Sequence, residues 1–148
     1  MKIAIGCDHG AFELKESLKK HFEDNGIEYI DVGTDSKASV HYPIYAKEVC
    51  RRVRSGEVKY GILLCSTGVG MSIAANKHKG IRAALCGDCY TAKFTRLHND
   101  SNVLCMGALV TGTGLATQIT DIFLSTEFEG GRHQTRVDMV MAIEEEQS

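Results

Sequence analysis

Short runs of apolar residues, each followed by a stretch whose apolar positions recur every three or four residues, repeat along this chain. That alternation is the strongest constraint on its fold. Strands that are apolar almost throughout have both faces buried, and helices on both sides of a parallel sheet supply that cover. Residues 2–7, 27–32, 60–65, 81–86 and 102–106 read as strands. Ala11, Leu14, Leu18 and Phe22 mark one stripe of a first helix over 11–25, closed by Asn25-Gly26. Tyr45, Ala46, Val49, Cys50 and Val53 mark a second, with the single proline, Pro43, just ahead of it, where a helix start tolerates proline. Further helices are expected over 71–77, 90–97, 115–124 and 132–145. The expected architecture is a three-layer α/β/α sandwich, with a five-stranded, mostly parallel, Rossmann-like sheet and a C-terminal helix. All of 1–148 is expected to form a single domain.

Composition removes several classes of function. Seventeen Lys and Arg against nineteen Asp and Glu leave a formal charge of -2, which offers no general attraction to nucleic acid or anionic lipid. No apolar run approaches the roughly 20 residues of a membrane span. The first residues lead directly into a strand with no leader pattern, so a cytoplasmic protein is expected. The six cysteines lie mostly within or beside apolar runs, as reduced core thiols do. Cys86-Gly87-Asp88-Cys89 is a lone C-x-x-C without a partner pair, and its bland reading is preferred to a redox or zinc site.

In a parallel sheet, ligands bind where strands end and helices begin. The most informative such junction is Cys65-Ser66-Thr67-Gly68-Val69-Gly70. Either its glycines and hydroxyls present backbone N–H groups to an anion or a developing oxyanion, beside a thiol that would act as base or nucleophile, or Cys65 simply caps the strand and the glycines simply turn the chain. It lacks the third glycine of a dinucleotide fingerprint and the Lys of a P-loop. Asp8-His9-Gly10, after the first strand, either handles protons and phosphate or simply caps the next helix. His98-Asn99-Asp100 closes the fourth helix, where His98 complements the dipole and Asn99 is a candidate terminator. Arg132 and Arg136 share one face of the last helix and suit a phosphate, or else form a solvated pair with nearby acids. That face continues to Val140 and Ile143, which are expected to pack inward. No two histidines stand at ligand spacing on one element, so no metal is expected.

Taken together, these segments resemble the type B ribose-5-phosphate isomerases, in the wider family that includes the galactose-6-phosphate isomerase subunits. The resemblance rests on Gly6-Cys7-Asp8-His9, on 65–77, on Arg96-Leu97-His98-Asn99-Asp100 and on 129–137, in that order. It implies a cofactor-independent, metal-free aldose–ketose isomerase acting on a small sugar phosphate. By that resemblance Cys65 is the base, Thr67 helps to move a hydroxyl proton, and His98 with Asp8 serves ring opening. His9, Arg132 and Arg136 hold the phosphate, while Tyr42, Ser66, Gly68, Val69, Gly70 and Asn99 line the sugar. A homodimer or dimer of dimers with shared active sites is implied. The chain departs from many members at Ser66, where they carry Gly, and from some at Leu109, where they carry a phosphate-binding Arg. Leu109 keeps a hexose 6-phosphate substrate in view, and a non-catalytic sugar-phosphate-binding subunit is the reading from another class.

Overall fold

The computed structural model describes residues 1–147. Five strands, β1 (Lys2–Cys7), β2 (Glu28–Asp31), β3 (Tyr60–Cys65), β4 (Ala83–Leu85) and β5 (Val103–Gly107), form one sheet in the order β2-β1-β3-β5-β4. All four pairings are parallel. Helices α1 (Phe12–Asp24), α2 (Tyr42–Arg54), α3 (Val69–Ala75), α4 (Cys89–Asn99), α5 (Thr113–Ser125) and α6 (Arg132–Glu146) connect and cover it. This is the expected α/β/α sandwich.

Alternation along the strands divides the core in two. Ile3, Ile5, Tyr60, Ile62, Leu64, Leu104 and Met106 face α1, α4 and α5, where they meet Leu14, Leu18, Phe22, Ala92, Ile119 and Phe123. Ala4, Leu63, Cys65, Val103 and Cys105 face α2 and α3, against Ala46, Val49, Cys50, Met71 and Ala75. Gly61 lets α2 approach closely, since a Cβ there would collide with Val49. Lys15 is fully buried, and its ammonium group meets both Asp31 oxygens at 2.7 and 2.6 Å. A charge taken from water is tolerated only with such a partner. Burial alone would raise the Asp31 carboxyl, but Lys15 and Lys19 hold it below its ordinary range.

Three expectations shift. The fourth strand is confined to Ala83–Leu85, an edge strand with a single neighbour. α3 starts at Val69, two residues before 71, because Gly68 takes up the left-handed conformation (φ 79°) and serves as its N-cap. Asp100 (φ 47°), and not Asn99, terminates α4.

The stripe beyond Arg132 and Arg136 does not pack inward. Val140 and Ile143 are 54% and 53% exposed, and α6 buries only His133 and Val137. Both faces of the sheet are already covered, so α6 packs on the outside of α4.

No helix among the described residues is long and apolar enough to cross a membrane.

Candidate active site

β1 leads to α1 on one face of the sheet and adjacent β3 leads to α3 on the other, so a crevice opens between the two strand ends. Asp8 and Cys65 occupy its walls. The Asp8 N–H donates to the Leu64 carbonyl at 3.2 Å, which joins the two loops. The Asp8 carboxylate accepts from Gly10 N–H at 3.0 Å and caps a single 3-10 turn over His9–Ala11. The cap uses one carboxylate oxygen and leaves the second over. A Cβ on Gly10 would collide with Ser66 Oγ, so Gly10 is what lets the two loops touch.

The Cys65 thiol is 5% exposed on the α2/α3 side. Gly68 N–H donates to its Sγ at 3.1 Å, a contact suited to a sulfur that carries negative charge. Burial pushes the thiols of the apolar layers up: Cys7 to about 11, Cys50 to about 12, and Cys86 and Cys105 upward as well. The row of N–H donors expected from the glycine loop is thinner than the sequence suggests. Gly68 N–H is engaged by sulfur and Val69 N–H by Thr67 Oγ1 at 3.2 Å. Gly70 N–H stands in the first turn of α3, where a helix offers no internal acceptor. Because Thr67 Oγ1 accepts from Val69, its own O–H is free to donate.

Tyr42 from α2 and His9 from the turn after β1 join this group. The Tyr42 ring lies on Gly70, where a Cβ would come within 2.8 Å of the ring carbon that bears the hydroxyl. His9 is exposed, and its Nδ1 accepts from Val40 N–H at 3.1 Å. Its neutral form therefore carries the proton on Nε2, a donor free for an anion. The β5 loop braces the floor: Ala108 and Leu109 N–H donate to the carbonyls of Cys65 and Ser66 at 2.9 Å each. Beside it, His9, Gly10, Leu109, Thr111 and Thr113 line a hollow of about 300 Å³.

His98, Asn99, Arg132 and Arg136 are not part of this group. α4 ends where the strands begin: Arg82, just before β4, donates to the carbonyls of Asn99 and Asp100 at 3.1 Å. Its backbone N–H also reaches Asn102 Oδ1, just before β5, at 2.8 Å. Glu129 N–H donates to Leu97 O at 3.1 Å and brings the start of α6 to the same edge. Gly61 pairs with Val103 at that edge and Cys65 with Gly107 at the other, so roughly 13 Å of strand lies between them. His98, Asn99 and Arg136 line a separate cavity of about 890 Å³, together with Arg82, Val140 and Met141.

Sequence reasoning missed two residues of this second cluster. His133, 4% exposed, stacks on His98 with ring centroids 4.0 Å apart and planes within 12°. Glu129 Oε2 lies 3.4 Å from His133 Nε2. The available signal was Gly130-Gly131, both at positive φ, which turn the chain so that residues on either side converge. His98, Glu129 and His133 bring ligand-type atoms within 4.8 Å of one another, the one such group among the described residues. Two imidazoles on one ion must aim their lone pairs at a common point, however, whereas stacked rings aim theirs in parallel.

A parallel sheet with a thiol, a carboxylate and hydroxyls in its crevice, and histidine with arginines at its far edge, offers the groups that an enzyme acting on a small anionic substrate uses. The comparisons sharpen that class. The sequence profile of the Ribose/Galactose Isomerase family matches residues 3–140. Ribose-5-phosphate isomerase B of Escherichia coli (strain K12) is 51% identical over 144 residues, 97% of each chain. The galactose-6-phosphate isomerase subunit LacB of Clostridium acetobutylicum is 42% identical over 87% of this chain and 75% of its own. The structure of Clostridium thermocellum ribose-5-phosphate isomerase B matches with a TM-score of 0.98 at 48% identity, over all of both chains. That of the Mycoplasma genitalium enzyme with bound ribulose-5-phosphate matches at 0.92 and 37% identity, over 98% and 97% of the two chains. This chain belongs to the ribose/galactose isomerase family, and it is an isomerase.

Proposed function

We propose that the chain interconverts D-ribose 5-phosphate and D-ribulose 5-phosphate through an enediolate, without metal or organic cofactor. The observation that carries this reading is the Cys65 sulfur at the end of β3, in the crevice and in contact with Gly68 N–H. Aldose–ketose isomerisation moves one proton between C2 and C1. A single base above both carbons does this: the thiolate takes the C2 proton, electrons collect on the C1 oxygen, and the proton returns at C1. Gly70 N–H faces the enediolate oxygen, and the Thr67 hydroxyl passes a proton between O1 and O2. The sugar arrives as a ring, which opens when His98 protonates the ring oxygen and a base, Asp8, takes the proton from O1. Tyr42, Ser66, Gly68, Val69 and Asn99 line the sugar, and His9, Arg132 and Arg136 hold the phosphate.

The separation of the two clusters along the sheet supports a site composed of two chains. Asp8, His9, Tyr42 and the 65–70 loop come from one protomer, while His98, Asn99, Arg132 and Arg136 come from its partner. The exposed apolar residues Tyr42, Ile44, Val69 and Ile73 lie around the mouth of the crevice, as a face that receives a second copy would.

A second reading, isomerisation of a hexose 6-phosphate, is favoured by Leu109. It is 79% exposed beside His9 and brings no charge to that hollow. The relative active on galactose 6-phosphate by name lends it the same support.

Turnover of D-ribose 5-phosphate and of allose 6-phosphate by wild type and Cys65→Ala, with EDTA present, tests both. Loss of a positioned base is expected to lower turnover roughly 10³-fold. Activity on the pentose that survives EDTA and collapses in the variant supports the first reading. Activity on the hexose alone replaces the substrate, and full activity in Cys65→Ala removes the thiol from the chemistry.

A further inference from the structure

His98 is held on two sides. The edge of Phe94, one turn earlier on α4, meets its ring at 5.1 Å and 73°, and Phe94 in turn stacks on Tyr90. The His133 ring lies flat on His98. His133 does not reach for a polar partner. Its Nε2 is buried without a hydrogen bond, and Glu129 stands at an ion-pair distance of 3.4 Å without hydrogen-bond geometry. A buried polar nitrogen left in this way costs stability, so its position calls for another explanation. That position is set firmly. His133 N–H donates to the Gly130 carbonyl at 3.0 Å, and the Gly130-Gly131 turn delivers the ring into the gap between α4 and α6.

We propose that His133 is a positioning residue for ring opening: its buried ring fixes the plane of the His98 imidazole, so that one nitrogen of His98 points out of the chain toward the sugar. The inference rests on the reading that His98 opens the ring. A side chain on the last turn of a helix otherwise samples several rotamers, and general acid catalysis loses efficiency steeply when the donor is misaligned. Charge supports the same role. The titratable groups that face His133 are His98 from α4, and Glu129, Arg132 and Arg136 around the start of α6. Burial first, then the nearness of His98 and Arg132, holds His133 below the ordinary histidine range. It therefore stays neutral at pH 7, and no second cation is stacked on His98.

The test separates ring opening from proton transfer. D-Ribose 5-phosphate is mostly cyclic. D-Ribulose 5-phosphate is open, because its C5 oxygen carries the phosphate and cannot close on C2. Wild type, His133→Ala and His133→Phe are compared for isomerisation of the aldose and for deuterium uptake from D2O at C1 of the ketose. His133→Ala is expected to lower kcat on ribose 5-phosphate about tenfold, through lost orientation of His98, while deuterium uptake stays within about twofold. His133→Phe, which keeps a flat ring on His98, is expected to recover most of the loss. Equal losses in both reactions would show a merely structural role and overturn the inference, as would no loss in either. Failure of Phe to rescue would overturn the stacking argument. A wild type that does not interconvert ribose 5-phosphate and ribulose 5-phosphate would instead overturn the substrate reading on which it rests.

Discussion

At the scale of single residues, the cysteines show how surroundings assign different work to one side chain. Cys7 and Cys50 lie in apolar layers, and burial pushes their thiols to about 11 and about 12. Cys65 has an N–H donor on its sulfur and a crevice in front of it. The buried thiols give the fold an alkaline limit. Their folded values lie above the unfolded value near 9.0, so the unfolded chain loses protons first as pH rises. Their contribution is complete below about pH 9 and is lost on the way to 11 and 12. The urea midpoint is expected to fall between pH 8 and pH 10.5, and to fall less in Cys50→Ala. An identical decline in both proteins would exclude Cys50 from the effect. The candidate role of Cys65 was legible in the sequence because a thiol at a strand end before Gly-x-Gly has few alternatives. The role of His133 was not, because nothing in local spacing reports a stack between residues 98 and 133.

At the scale of elements, the site depends on how closely the loops after β1, β3 and β5 approach one another. Gly68 takes a left-handed φ and lies against the Met106 backbone, while Gly107 has Thr67 backbone atoms where a Cβ would stand. A methyl group at Gly107 therefore forces the β3 and β5 loops apart. Gly107→Ala is expected to cost about 1–3 kcal/mol of stability, as overpacking does, and to reduce turnover further than that loss of folded protein explains. The checks are a urea titration and kcat on the folded fraction. Unchanged stability and activity would mean that the loops are not braced in this way. Most elements were legible because periodicity and glycine punctuation agree along this chain. The short β4 was not. An apolar run over 81–86 cannot announce that one side of the strand lacks a neighbour, or that the Arg82 N–H is taken by an Asn102 side chain. Nor could the pattern of α6 reveal that its apolar stripe beyond Arg136 stays exposed. Whether a stripe packs on its own chain depends on which faces of the sheet remain uncovered, and here none does.

At the scale of the whole molecule, connectivity sends the candidate residues to two ends of one sheet. Cys65 and Asp8 end strands, whereas His98 ends a helix that runs back to where strands begin. Motifs read in sequence order give no hint of this, because order along the chain is silent about which edge of the sheet each motif reaches. The consequence is specific. A dimer with two composite sites, each built from Cys65 of one chain and His98 of the other, is repaired by mixing two dead variants. Cys65→Ala and His98→Asn protomers, unfolded together and refolded, yield hybrid dimers in which one of the two sites carries both native residues. For random pairing under twofold symmetry, the mixture should recover about a quarter of wild-type turnover on D-ribose 5-phosphate, while each variant alone stays near zero. A mixture as inactive as its parents, with hybrid dimers present by native mass spectrometry, would contradict a site shared between chains.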